Sequence, residues 1–365
     1  MRAARLVAPL RQVEVGTRTR AWPAHSRLFV VGDLGGWSVD EDAVHVAEVA
    51  RRLGYRLGPT QWAGFVRAQS VFNTSHFQAL TPRWLDGPNR LALAYMHGRP
   101  GTRGMPEFDV AYEALRRHPE RVARVQVTHA EMEELVLSAG VEPARVFRIP
   151  LGIDLGNFPL RDDAARSRAR RALGLPDSAF VVGSFQKDGV GWGAGLEPKL
   201  IKGPDLLVAA LARLHGSTTE LVVLLTGPAR GYVRRELGRL GVPHRHLLAR
   251  TRAELARAYH ALDLYLVASR QEGGPKATLE TMATGVPLVT SRVGQAQDLV
   301  EHGRNAALVD VEDVEGLVAW AERVRDDAEV RAAWRDSGRD VAEAYAQERL
   351  DPLWAALLDG FVERR

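Results

Sequence analysis

The sequence contains no cysteine. Disulfides, thiolate nucleophiles and sulfur-ligated metal are therefore excluded, a composition compatible with a reducing, cytoplasmic setting. No run approaches the ~20 apolar residues a helix needs to cross a bilayer. The opening MRAARLVAPLRQVEVGTRTR breaks its apolar run at Arg11 and Glu14, so no signal core is expected and residues 1–25 read as a basic arm. There is no HExxH, no zinc-like histidine cluster and no Walker glycine-lysine loop. Nor is there a dense cationic block interleaved with aromatics; with a net charge of only +4, nucleic acid is not an expected partner. Lysine is nearly absent. Of 49 basic residues four are lysine (Lys187, Lys199, Lys202 and Lys276), and all lie in one stretch. The arginine bias reads as codon usage in a GC-rich source. The clustering is either chance or a need for compact ammonium groups, the form suited to phosphate oxygens.

What is present is a long, ordinary globular composition. A chain of 365 residues exceeds the ~250–300 at which one core stops growing, so two domains are expected. RLFVVGDL from Arg27 reads as a buried parallel strand, followed by a glycine turn and an amphipathic helix through Val46, Val49 and Leu53. LALAYMHG (91–98) and RVQVTH (124–129) repeat the pattern. A second series begins at FVVGSF (180–185) and runs through helix 203–214, strand LVVLLTG (221–227), helix 229–240, strand 262–269, helix 275–284 and strand PLVTS (287–291). Strands alternating with helices in this way predict two open parallel sheets of the α/β class. The expected division is an N-terminal domain to Phe158, a connection over 159–178, a second domain over 179–340 and apolar helices over 341–365. The last of these carries Leu350, Leu353, Trp354, Leu357, Leu358 and Phe361, a face expected to be buried by packing back on the first domain.

The segment EGGPKATLE, Glu272 to Glu280, follows strand 262–269 and opens a helix. In an open parallel sheet, ligands sit beyond the carboxyl ends of strands. Gly273 and Gly274 leave the backbone bare, Pro275 suits the first helical position, and Lys276 adds charge. A helix start of this kind favours an anion, with a nucleotide diphosphate the obvious candidate. Glu280 can accept bonds from ribose hydroxyls and Glu272 from a sugar.

This segment resembles the paired-glutamate signature of family 4 glycosyltransferases, in which two glutamates stand eight positions apart across a glycine loop and helix start. IPLGIDLGNF (149–158), LIKGPDLLVAAL (200–211) and VEHGRNAALVDVEDVEGL (300–317) are similar to other segments of that family, in the same order. The resemblance implies two Rossmann-like domains facing a central cleft (the GT-B fold) and transfer of a hexose-type sugar from a UDP- or GDP-sugar to a hydroxyl, with retention and without metal. It implies that Lys202 binds the donor diphosphate, that Glu272 and Glu280 lie near donor sugar and ribose, that Gly35 and Gly36 approach the donor phosphate, and that His97 is the cleft histidine. Glu272, His97 and Lys202 are the catalytic candidates.

Departures accompany the likeness. The usual diphosphate arginine is replaced by Ser184, and Lys187, or Lys199 within the glycine-rich insertion KDGVGWGAGLEPK, is expected to supply its charge. Leu151 stands where an asparagine is common. Asp40-Glu41-Asp42 spells a metal-binding DxD, but Ser38 and Glu41 form a capping box and acidic residues suit a first helical turn, so no metal is expected there. A sugar-nucleotide epimerase of the same architecture and a non-catalytic nucleotide-sugar binder remain as alternatives. The acceptor is not readable, although Trp37, Trp62, Phe65, Phe72, Asn73, His76, Phe77 and Trp84 are available for stacking or for the core. Peripheral membrane contact through Arg51, Arg52 and the basic arm is conceivable.

Overall fold

The computed structural model describes residues 23–33, 38–218 and 220–364. The chain divides into two compact units, one running to Pro150 and resumed from Leu350, the other Leu151–Arg349.

The first unit is built on a parallel sheet in the order β1 (Leu28–Val31), β2 (Ser70–Asn73), β3 (Arg90–Ala94), β4 (Val122–Val127), β5 (Val146–Arg148). The central strands are short, apolar and buried, as strands covered on both faces must be. One face carries Leu28, Val30, Phe72 and Ala92 against Val46 and Val49 of the helix Ser38–Arg52, with Trp354, Leu357, Leu358 and Phe361 completing the cluster. The other face packs Leu91 and Leu93 on Leu115, Met132 and Val136. The returning C-terminal segment is tied down as well as packed: Ser70 Oγ donates to the Phe361 carbonyl at 2.5 Å, and the Arg52 guanidinium grips Asp351.

The second unit holds a six-stranded parallel sheet in the order β11-β10-β9-β6-β7-β8, comprising β6 (Phe180–Ser184), β7 (Leu221–Thr226), β8 (His244–Leu247), β9 (Leu264–Val267), β10 (Leu288–Ser291) and β11 (Ala307–Val309). β6 pairs with β7 on one side and β9 on the other, so the strand order reverses between β6 and β9. A crevice opens at such a reversal because successive helices leave to opposite faces. Aliphatic clusters fill both faces, one around Val181, Tyr265 and Leu288, the other around Val182, Leu221, Leu264 and Val289.

Two boundaries differ from the sequence expectation. Phe158 is buried in the second unit's core with Ile153 and Tyr259, so that unit begins at Leu151 rather than after Phe158. Residues 159–178 hold a short helix, as expected of this connecting segment. Asp162 caps the helix Asp163–Leu173, and Arg170, wholly buried, ties that helix to the sheet through Asp263. At the other end the chain stays with the second unit well past Val341, because Ile153 N donates to the Tyr345 carbonyl and Gln347 N to the Ile153 carbonyl, and it leaves only at Leu350. Gly35, Gly36, Trp37 and most of the basic arm lie outside the described residues, as does the Ser38 side chain of the expected capping box. Among the described residues no helix is long and apolar enough to cross a membrane.

Candidate functional site

The site candidates of the second unit gather at the strand reversal. Lys202 and Gly203 close a short 3-10 turn, Leu200–Lys202, before the helix Pro204–Ser217. Gly203 has φ +60°, and a Cβ there would stand 1.8 Å from the Ala268 carbonyl oxygen. Only glycine lets this turn lie directly on the end of β9. The approach places the Lys202 ammonium 2.5 Å from Glu272 Oε2. Ser269 Oγ donates to Glu272 Oε1 at 2.8 Å, and Gln186 Nε2 donates to the Lys202 carbonyl at 2.9 Å. Glu272, 9% exposed at its side chain, is thereby fixed by a cation on one oxygen and a hydroxyl on the other. A carboxylate held at both oxygens loses little freedom on meeting a ligand.

The helix after the glycine loop is Lys276–Thr284, with Pro275 as its cap (φ −65°, ψ 106°) rather than its first residue. Gly273 is buried while Gly274, Pro275 and Lys276 are partly exposed, and Thr278, Leu279 and Glu280 are buried. Glu280 accepts from the Tyr259 hydroxyl at 2.8 Å and lies 3.4 Å from an Arg252 guanidinium nitrogen. Burial, reinforced by the Glu280 carboxylate, holds the Tyr259 phenol well above its ordinary range, so it is a proton donor throughout the physiological window. The two glutamates thus have different settings at opposite ends of one glycine loop and helix start. Glu272 is set by lysine and serine, Glu280 by tyrosine and arginine.

Lys187 follows Gln186 on the loop leaving β6. Burial and then the nearby Lys202 charge lower its pKa, and its ammonium sits 5.0 Å from the Trp192 ring centre. Lys199 donates its backbone N–H to the Asp188 carbonyl at 2.8 Å. His97 belongs to the first unit, beyond β3, where its ring meets those of His76, Phe77 and Phe108, each at 5.6 Å between centres. Phe72 is core rather than a stacking surface, as are the buried Asn73 and His76. Asp40, Glu41 and Asp42 sit in the first turns of the helix Ser38–Arg52, as the dipole argument requires. Sequence reasoning missed Ser269, Gln186, Tyr259 and Arg252. Ser269 has a signal of its own, as the polar residue ending an apolar strand three positions before Glu272; Tyr259 and Arg252 carry no local signal.

The profile of "Glycosyl transferases group 1" matches residues 189–327. A D-inositol 3-phosphate glycosyltransferase of Corynebacterium urealyticum is 28% identical over 297 residues, 72% of this chain and 67% of its own length. The chain is thus similar to group 1 glycosyltransferases, the match lying in its second unit. A relative of the same name from Xylanimonas cellulosilytica is 35% identical over 210 residues, covering 55% of this chain and 47% of that protein. The chain therefore spans only about half the length of some relatives it matches. Among solved structures, Anabaena HepE in complex with UDP-glucose superposes with a TM-score of 0.72 at 18% identity, covering 92% of this chain and 99% of that one. A sucrose-phosphate synthase from Thermosynechococcus elongatus gives 0.69 at 16% identity, covering 92% and 98%. The fold is GT-B, with family 4 segments set on parallel-sheet units of five and six strands. The matched stretch contains the Lys202–Glu272 pair and Glu280.

Proposed function

We propose that this chain acts as a family 4 glycosyltransferase, moving a hexose-type sugar from a UDP- or GDP-sugar to an acceptor hydroxyl, with retention of anomeric configuration and without a metal ion. The carrying observation is the placement of Lys202, Glu272 and Glu280 around the start of the helix Lys276–Thr284, at the strand reversal of a Rossmann-like sheet. Leaving-group charge develops on the donor diphosphate. Lys202, Lys276 and Lys187, the helix dipole and the loop amides supply the compensating positive charge, which makes fixed electrostatics the main catalytic contribution. Lys202 carries three N–H donors and can keep Glu272 while meeting a phosphate oxygen. Glu272 then orients the sugar and Glu280 the ribose. No residue is assigned as a covalent nucleophile; same-face displacement within an ion pair is the step proposed, with His97 the candidate for orienting sugar or acceptor. The UDP-glucose complex of the structural neighbour favours a uridine donor, and the relatives' names make inositol 3-phosphate the first acceptor to try.

The test is a panel of UDP- and GDP-sugars scored for thermal stabilisation and for release of nucleoside diphosphate, with wild type beside Lys202→Gln, Glu272→Gln and Glu280→Gln. One nucleoside diphosphate should stabilise the wild type specifically, and Glu280→Gln should weaken that response. Equal responses from all four proteins would exclude this site. Release of diphosphate with transfer to an acceptor separates a transferase from an epimerase or a silent binder.

A further inference from the structure

The glycine-rich insertion between β6 and Lys202 is not a loose loop. Its two arms bond each other, Val190 N to the Glu197 carbonyl at 2.9 Å and Lys199 N to the Asp188 carbonyl at 2.8 Å. Its tip docks on the helix Gly231–Arg239, where Gly231 N and Tyr232 N donate at 2.8 Å to the Ala194 and Gly195 carbonyls respectively. Contact there is so close that a Cβ on Gly195, whose φ is +68°, would stand 2.2 Å from the Ala229 carbonyl oxygen. Beneath the hairpin lies an ion pair sealed from water: Arg230 Nε is 3.1 Å from Asp188 Oδ1, with both side chains 0% exposed. Arg230 also donates to the Ser184 carbonyl at 2.6 Å and the Thr226 carbonyl at 3.1 Å, clamping the carboxyl ends of β6 and β7 together.

A buried ion pair is expensive to form, and an apolar pair of equal volume often serves stability as well or better. Its location is therefore informative. Asp188 is the residue after Lys187, and Gln186 on the other side donates to the Lys202 carbonyl. The backbone of Lys187 is thus pinned from both neighbours, while its ammonium rests over Trp192. Arg230 is too deeply enclosed to meet a ligand, and its charge is already matched by Asp188. Lys187 is partly exposed and feels the charge of Lys202. Two ammonium groups converging at the reversal of a parallel sheet define a place for a multiply charged anion.

We propose that Asp188 and Arg230 are positioning residues that hold the hairpin 187–199 so that Lys187 joins Lys202 on the donor diphosphate. The proposal rests on the donor reading above and deepens it: Lys187 reads the second phosphate, and the buried pair acts through Lys187 alone. A purely structural role would lower the melting temperature and weaken all nucleotides together. A positioning role changes the preference for diphosphate over monophosphate.

The experiment is calorimetric titration of the full chain with UDP, UMP, GDP and GMP, for wild type, Lys187→Gln, Asp188→Asn, Gly195→Ala and the double variant Lys187→Gln/Asp188→Asn. Gly195→Ala lifts the hairpin without leaving a buried charge unpaired, so it keeps the question answerable if Asp188→Asn fails to fold. The diphosphate-over-monophosphate preference should fall about tenfold in each single variant, the value of one phosphate contact near 1.4 kcal/mol. In the double variant it should fall no further. Additive losses, or an intact preference in the Asp188→Asn and Gly195→Ala variants, would overturn the positioning role while leaving the donor site standing. A wild type that does not prefer the diphosphate would instead overturn the donor reading and this inference with it.

Discussion

The two ends of strand β6 hold two arginines buried out of reach of water, and they differ in what surrounds them. At the amino end Arg170 donates to the carbonyls of Pro176, Asp177, Ala179 and Ala261 and pairs with Asp263. Asp263 in turn takes Arg166 and the backbone N–H of Val181. At the carboxyl end Arg230 meets two carbonyls, the Ser184 hydroxyl and Asp188. The lower arginine fastens helix to sheet through a dense set of carbonyls, so its network serves stability. The upper one fastens a loop that carries an ammonium group next to its aspartate, so its network serves a site. The same residue pair, at opposite ends of one strand, takes different roles because parallel sheets bind ligands at their carboxyl edge.

The sharpest way to break this contrast is Asp263→Ala. It leaves Arg166 and Arg170 facing an empty socket, and removal of one partner of a buried pair costs about 3–5 kcal/mol. Urea denaturation should report that loss, whereas nucleotide affinity of the folded protein should stay at the wild-type value. A fall in affinity would mean the lower end is coupled to the site after all. Lys202→Gln should invert the pattern. Turnover should fall roughly 10²–10³-fold, the range for deleting one fixed donor to a developing charge, with little change in the urea midpoint because the pair is partly exposed. Equal losses in stability and turnover would make Lys202 a structural residue.

Tyr259→Phe probes a place where the two ends meet, since Tyr259 packs in the second unit's core yet donates to Glu280. A hydrogen bond to a charged group is worth about 1.5–3 kcal/mol. Most of that should be felt as a roughly tenfold weaker nucleotide affinity, read by titration, if Glu280 meets the ribose as proposed. A variant with unchanged affinity and a lower melting temperature would place Glu280 in the core rather than in the site.

Much of the upper end is legible in the sequence alone. The strands at 28–31, 180–184, 221–226 and 264–267 are apolar runs closed by polar or glycine residues, and EGGPKATLE announces a helix start by its own chemistry. The rest is hidden for physical reasons. β2 is only SVFN between polar neighbours, and β8, HRHL, is an edge strand whose side chains stay partly exposed, so neither has the apolar contrast a sequence reader needs. The helix Asp163–Leu173 is expected within the connection, but its arginines look solvated; burial of Arg170 depends on Asp263, which lies far away in sequence. Arg230 is equally plain among the arginines of RGYVRRELGR. The Lys202–Glu272 contact is half visible, since both residues stand out while their meeting depends on the Gly203 turn in space.

The smallest expected effect is in pH. His260, at the lower end of the sheet, donates from Nε2 to the Pro159 carbonyl at 2.9 Å, and burial lowers its pKa below the ordinary 6.5. The unfolded chain then takes up the proton first as pH falls, so between 6.5 and the lower folded value unfolding is favoured by acid. Stability from this residue is intact above about pH 6.5 and declines below it, by at most about 1.4 kcal/mol per pH unit for one proton. Other buried histidines, His76 above all, act in the same direction, so the signal is a difference: His260→Gln should flatten part of the slope of urea stability between about pH 6.5 and 5.5. Diphosphate preference over the same interval should be identical in the two proteins, because this proton lands at the amino edge of the sheet. A change in that preference would show that acid at one end of the sheet reaches the other.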